Sequence, residues 1–547
     1  MKKGTKITLW VLGVFVFLVG GALLSVNIWA TKLVQKEVEK AFERMPDADA
    51  KVGKIILSVL SGSAVVTDVT FVTHSLALED SITGLRQPGL AMHVPTLTVL
   101  NINYLELIKR HHLDIWKVMI DEPQLLVYLD EENPEALMPT FPVDTTLQHA
   151  GIWLDSVNVR HIEVNKFTAR LHSTRTPLTL AVDSLSVECH GMSYDFIDSV
   201  FAYNDSVYEV EAVAFAAQLP DGISEIEIHN FQTSDQGELQ MGYTRYRNTV
   251  SVKQLADKRK EPTTWLDLEL NSLSTSALNP IRKAFAEDYT LDALHVDVKR
   301  MHVCRDARHK PKEPFLPPQD YLRKMPITFC INKVEALVHK IDVEFASTNV
   351  NCGQMHIQNM RADLSNVTNK RGATWNCRAK APFGEGKIDA NFKMNLNKEA
   401  TFDIKLNAQN IETHDINSFL RPLVGMTCDC HIDQLDAAYK GDRAIAKGEF
   451  CLQYHGLKVK VYKEDDIPYK VVTKNADTFT TLANTLIPKS NPTSVDPAPR
   501  RYNVEWKRDE WSPFPLYLFG PCIDGVIKTM LPGLFVHKQA KSQKPKK

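Results

Sequence analysis

From Lys387 to Leu396 every second residue is apolar: Ile388, Ala390, Phe392, Met394 and Leu396 alternate with Lys387, Asp389, Asn391, Lys393 and Asn395. Side chains of a β-strand project alternately to two faces, so this stretch reads as a strand with one greasy and one wet side. Phe402, Ile404, Leu406 and Ala408 repeat the pattern beyond Asn397-Lys398-Glu399, and the two runs are predicted to pair as a hairpin. Similar runs occupy Val65–Val72, Val94–Ile102, Val118–Leu129, Val157–Leu171, Leu178–Val187, Ile226–Phe231, Leu266–Leu270, Leu294–Val303, Ile327–Phe345, Ala437–Tyr454 and Leu457–Tyr462. They imply on the order of twenty strands. Beyond the N-terminal segment, helical spacing is confined to Asn103–His111, Asp195–Phe201, Asn279–Ala286, Ile416–Val424, Thr478–Ile487 and Pro515–Leu531.

So many one-sided strands raise the question of what covers their apolar faces, because the helices are too few. Two answers stand: stacked β-sandwich domains, which composition alone favours, or an elongated antiparallel β-groove whose apolar face holds acyl chains. In the second case the groove-lining candidates are Ile388, Ala390, Phe392, Met394, Leu396, Phe402, Ile404 and Leu406.

The N-terminus adds a membrane element. No charged residue occurs from Ile7 to Thr31, whereas about 20 helical residues cross a bilayer core. Lys2, Lys3 and Lys6 precede it, and Trp10 and Trp29 sit at interface positions, so a single spanning helix with a cytoplasmic N-terminus is predicted. Ile28-Trp29-Ala30 is a poor cleavage site, which weighs against a signal peptide. The expected layout is a cytoplasmic 1–6, a transmembrane helix 7–30, a helical extension 31–46 and a β-rich region 47–309. A Pro-rich linker or loop 310–318, a second β-rich region 319–488, a Pro-rich segment with an apolar helix 489–536 and a basic, disordered tail 537–547 follow.

Charge and motifs narrow the chemistry. With 64 Lys plus Arg against 66 Asp plus Glu, the chain lacks the cationic surplus that phosphate backbones require, and no nucleic-acid partner is expected. The nine cysteines do not form a compact disulfide framework; Cys428, Cys430 and His431 lack a second ligand pair at zinc spacing, so burial is expected for them, with no metal and no cofactor. Gly384-Glu385-Gly386-Lys387 opens a strand and no helix, so its glycines are read as turn residues, not a dinucleotide cradle. No catalytic set is recognisable, and a non-enzymatic role is expected. Phe514, Leu516, Tyr517, Leu518, Phe519, Ile523, Val526 and Ile527 make the C-terminal helix the greasiest segment after the N-terminal span, a candidate contact with a membrane or partner or, equally, a plug for the end of the sheet.

Two phrases give this layout a likeness. One runs from Val94 to Asp130: a strand, the short helix Tyr104-Leu105-Glu106-Leu107-Ile108, then Ile115–Tyr128, a strand followed by Pro123 and a second strand. The other runs from Ala408 to Val461 through Ile411-Glu412-Thr413-His414-Asp415, Phe419-Leu420-Arg421-Pro422-Leu423 and Lys447-Gly448-Glu449-Phe450. The arrangement resembles the AsmA-like family of inner-membrane-anchored periplasmic proteins, related to TamB and the chorein-type bridge lipid transporters. The resemblance implies a bacterial inner-membrane location with the bulk periplasmic, phospholipid as cargo, and an outer-membrane or envelope partner at the C-terminal end. The alternative is an assembly factor that influences outer-membrane protein insertion without carrying lipid.

Overall fold

The computed structural model describes residues 28–32, 34–36, 38, 39, 48–59, 61–77, 87–103, 106, 109–130, 132, 155–195, 200–235, 238–276, 288–325, 327–346, 353–424, 426–462 and 475–531. The chain is mainly β, with twenty-two strands among these residues, and divides into two compact units, Met1–Met241 and Gly242–Lys547.

The first unit carries β1 (Ala48–Lys51), β2 (Lys54–Ser58), β3 (Ser63–Thr73), β4 (Gly89–Ile102), β5 (His112–Asp121), β6 (Gln124–Leu129), β7 (Ser156–Ser173), β8 (Thr179–Asp195), β9 (Val200–Gln218), β10 (Ser224–Ser234) and β11 (Leu239–Met241). Neighbours are antiparallel except at β7, beside which both β5 and β6 run parallel. The apolar run Val118–Leu129 is divided between two strands, β5 and β6, on either side of Pro123. Pro123 lacks a donor, Glu122 takes a φ of 53°, and the Glu122 N–H instead reaches the Asn165 carbonyl at 2.8 Å. Lys166 on β7 has the same φ of 53°, and the β7–β8 register shifts beside it, so the break in one strand is met by a bulge in the next.

The registers define an apolar face. Val66, Leu97, Ile120, Val164, Val187 and Val210 stand side by side across β3, β4, β5, β7, β8 and β9. Two residues along lies a second row: Ala64, Val99, Val118, Ile162, Cys189 and Tyr208. Every member of the first row is only half-buried. On the opposite face the matching row, Thr98, Met119, Glu163, Glu188 and Glu209, is polar but for Met119.

The second unit carries β12 (Thr244–Asn248), β13 (Thr263–Ser276), β14 (Asp288–Asp306), β15 (Thr328–Ala346), β16 (Gly353–Thr368), β17 (Thr374–Phe383), β18 (Gly386–Asn395), β19 (Phe402–Glu412), β20 (Met426–Gly441), β21 (Ile445–Val461) and β22 (Arg501–Lys507). Each pairs with the next in chain order, antiparallel throughout except for the parallel β14–β15 pair.

The expectation of an antiparallel sheet is thus corrected to a mixed one, for a reason visible in the connections. Antiparallel neighbours can be joined by a tight turn, whereas parallel ones need a crossover of roughly a dozen residues or more. Residues 307–327 provide one between β14 and β15: the Pro-rich stretch, followed by helix α2 (Pro318–Arg323), is that crossover.

Other expectations fare unevenly. The hairpin forms, with Phe392 opposite Ile404 and Met394 opposite Phe402. Gly384, at φ 56°, makes the turn that opens it. Ala437–Tyr454 proves to be two strands, because Asp442 accepts from the backbone of Ala444 and Ile445 and closes a turn between them. The helix expected at Asp195–Phe201 is replaced by the end of β8 and the start of β9, with 196–199 outside the described residues. Three of the expected helices are present as α3 (His414–Val424), α4 (Ala476–Leu486) and α5 (Phe514–Met530); the additional α1 (Val252–Arg259) is closed by a capping box of Ser251 and Gln254. Residues 1–27, which include most of the expected membrane span, lie outside the described residues, as do 277–287 and 532–547. Among the described residues no helix is long and apolar enough to cross a membrane.

Two helices seal the C-terminal side of the sheet. Past the reach of β22, Asn484 and Thr480 of α4 bond to the backbone of Val459 and Val461 on β21, with Asn484 both accepting at 2.8 Å and donating at 2.7 Å. On β22, Asp524 of α5 accepts from the Glu505 N–H at 3.0 Å and Lys528 donates to the Asn503 carbonyl at 2.9 Å.

Candidate functional site

The largest apolar cluster sits where α5 packs on β19–β22. Phe402, Tyr439, Phe450 and Val504 from the strands meet Phe514 and Tyr517 of the helix. Phe402 lies edge-on to both aromatics, at ring-centroid distances of 6.0 and 5.6 Å. Such pairs add about 0.5–1.5 kcal/mol beyond their area burial. The helix can approach because Gly525 faces Phe450; a Cβ there would lie 2.2 Å from the ring. Tyr439 donates to the Leu518 carbonyl at 2.7 Å and Tyr517 to that of Asp442 at 2.8 Å. Burial raises the Tyr439 and Tyr517 hydroxyls above their ordinary range and pushes Tyr454, in the same cluster, up to about 12.

The two sets of candidate residues meet here. Met394, Leu396 and Phe402 are buried, while Ile388, Ala390, Phe392, Ile404 and Leu406 are half-buried. Phe392, Ile404 and Leu406 pack against the cluster that α5 completes, so this part of the greasy face is covered by the chain's own helix. Within α5 the candidates divide by face. Phe514 and Tyr517 are buried and Leu518 and Val526 half-buried, whereas Leu516 (47%), Phe519 (58%), Ile523 (38%) and Ile527 (45%) are exposed. Their spacing of three and four residues makes one solvent-facing apolar stripe.

A second stripe was not singled out in the sequence. Phe479, Leu482 and Leu486 of α4 are 45%, 49% and 62% exposed, again at helical spacing. Its signal was present in the sequence, but an apolar periodicity reads by default as a face turned to the core.

Of Cys428, Cys430 and His431, for which the sequence predicts burial, only Cys430 is buried and the other two are half-buried. Cys430 and Cys428 pack against the same cluster, pointing the same way two residues apart on β20. Their mutual hydrogen bond lowers Cys428 and raises Cys430, whose burial acts in the same direction.

On the opposite face of β18–β22 lies a recess of about 440 Å³ bordered by Asp389, Lys405, Asn407, Asp436 and Arg501. Its carboxylates are already engaged: Asp389 accepts from Arg378 at 3.2 Å and Asp436 from Asn407 at 2.7 Å. A different polar cluster, His161, Glu188 and His190, is formed in the first unit. Sequence reasoning missed it because only strand register brings residue 161 beside 190.

No protein-family model matches the chain, and no curated protein does either.

Proposed function

We propose that this chain is an AsmA-like, membrane-anchored, non-enzymatic envelope protein that holds phospholipid acyl chains against apolar sheet faces arranged as an elongated groove. The observation that carries this reading is the row Val66, Leu97, Ile120, Val164, Val187 and Val210, central in its sheet yet only half-buried. Among the described residues the packed apolar clusters all lie in the second unit, and in the two rows of this face only Ala64 and Tyr208, at the two ends of the second row, are buried. Such a surface leaves water contact when it meets hydrocarbon, with about 0.8 kcal/mol gained per buried CH₂. Large uncovered apolar patches mark binding surfaces in proteins generally.

The anchor rests on the charge-free stretch Ile7–Thr31, and a bacterial periplasmic setting rests on the resemblance alone. In the C-terminal part of the sequence, the exposed stripes of α4 and α5 supply a contact with a second lipid surface. Lys538, Lys541, Lys544, Lys546 and Lys547 follow α5 in the sequence with no acidic residue among them, which favours an anionic surface.

Mass spectrometry of the full chain, gently extracted and purified, tests the proposal. Stoichiometric phospholipid, reduced in Ile120→Asp and Val187→Asp variants that still fold, is the expected result. Folded wild-type protein free of lipid would overturn it. An assembly factor without cargo would give that second outcome and would alter outer-membrane protein levels with lipid distribution unchanged.

A further inference from the structure

On the polar face of the first unit, Glu188 and His190 stand two residues apart on β8 and so project to the same side. His161 of β7 is directly opposite His190 in the antiparallel register. The two imidazoles lie 4.4 Å apart between ring centroids at 69°, and His190 Nε2 is 3.0 Å from Glu188 Oε1. One ligand atom from each of the three residues lies within 4.8 Å of the other two.

We infer that His161, Glu188 and His190 form a binding site for one divalent transition-metal ion of the Zn²⁺ class. Bonds of about 2.0–2.2 Å in a tetrahedron place ligand atoms about 3.4 Å apart, so closing this cluster on an ion requires movements of roughly 1.4 Å or less. Rotation of three half-buried side chains supplies that without moving the backbone. Two imidazoles and a carboxylate suit Zn²⁺, Cu²⁺ or Ni²⁺, whereas Mg²⁺ and Ca²⁺ prefer oxygen sets. Three protein ligands leave a fourth position open to water or to a group from a bound molecule.

Two surrounding features favour the site. Glu163, opposite Glu188 in the register, is ion-paired with Lys117, which stands opposite His161, so this neighbouring ammonium is held by a carboxylate outside the ligand set. The β8–β9 pairing also slips at this point, from Cys189 opposite Tyr208 to His190 opposite Asn204. Irregularities of this kind re-aim side chains and recur beside functional sites.

The site is tested with the metal alone. Full-length chain in mild detergent, stripped with a chelator, is titrated with Zn²⁺ by calorimetry and with Co²⁺ by visible absorption, whose d–d bands report the ligand geometry. About one ion per chain with roughly micromolar or tighter affinity is expected, together with a Zn²⁺-dependent rise in melting temperature. His161→Ala, His190→Ala and Glu188→Gln should each weaken binding by about tenfold or more. His172→Ala, on the same strand but stacked on Tyr128, should leave it unchanged. Should either alanine variant melt early, His161→Gln and His190→Gln retain side-chain volume and answer the same question. No saturable binding at roughly millimolar Zn²⁺ would overturn the inference, as would affinity unaltered in both histidine variants.

Discussion

Replacing the solvent-facing stripe of α5 offers the most direct quantitative test of contact with a second lipid surface. The perturbation is Leu516→Ser, Phe519→Ser, Ile523→Ser and Ile527→Ser together. Side chains of this kind offer on the order of 150–200 Å² each, so exposures of 47%, 58%, 38% and 45% leave about 340 Å² in water. At roughly 25 cal/mol per Å², full transfer into hydrocarbon would contribute about 8 kcal/mol, and immersion to half depth about 4 kcal/mol. The latter corresponds to about a thousandfold change in partitioning. The assay anchors the full chain in one vesicle population and measures capture of a second, fluorescent population by flotation. Wild-type protein should capture vesicles, more strongly when they contain anionic lipid and less so in high salt, since each nearby lysine contributes about 1 kcal/mol at such a surface. The fourfold variant should lose capture while keeping its melting temperature, because the altered side chains face away from Phe450 and Tyr439. Equal capture by variant and wild type would refute the reasoning.

The buried side of the same helix should behave differently: Phe402→Ala is expected to destabilise the second unit by about 3–5 kcal/mol, read by chemical denaturation, since its ring is 1% exposed between Phe514 and Tyr517. Gly525→Val should detach α5, exposing the cluster and raising binding of a hydrophobic dye, because the new side chain would collide with the Phe450 ring. The hydrogen bonds from Arg443, at 2.7 Å each, hold the Asp320 carboxyl below its usual range. The folded-state value is depressed, so this pair stabilises above the unfolded value near 3.8 and ceases to do so as pH falls through the folded one. Arg443→Met should therefore cost more stability at pH 7 than at acid pH, as followed by melting across a pH series; equal losses throughout would exclude the linkage.

How much of this was legible in the sequence depended on range. The β18–β19 pairing was legible because strict alternation sets each face and a short loop joins the two runs, although which residues stand opposite, Phe392 and Ile404 among them, is set by the turn. Helices α3, α4 and α5 were legible from their periodicity. The parallel pairs were not, since they depend on connections whose path no local pattern records. The sides of α5 were illegible for another reason: with apolar residues on both faces, small Gly520 and Gly525 decide which one docks. His161 and His190 are separated by a whole strand turn and meet only through register.

The side-chain hydrogen bonds that α4 and α5 make to β21 and β22 have a consequence for assembly. A bare outer strand is a template on which a further strand, from the same protein or another, can grow. Here Asn484, Thr480, Asp524 and Lys528 occupy backbone groups that a newcomer would need. The helices thus act as a chain terminator for sheet propagation. A partner arriving at this end would have to dock on helix surfaces and side chains, without extending the ladder.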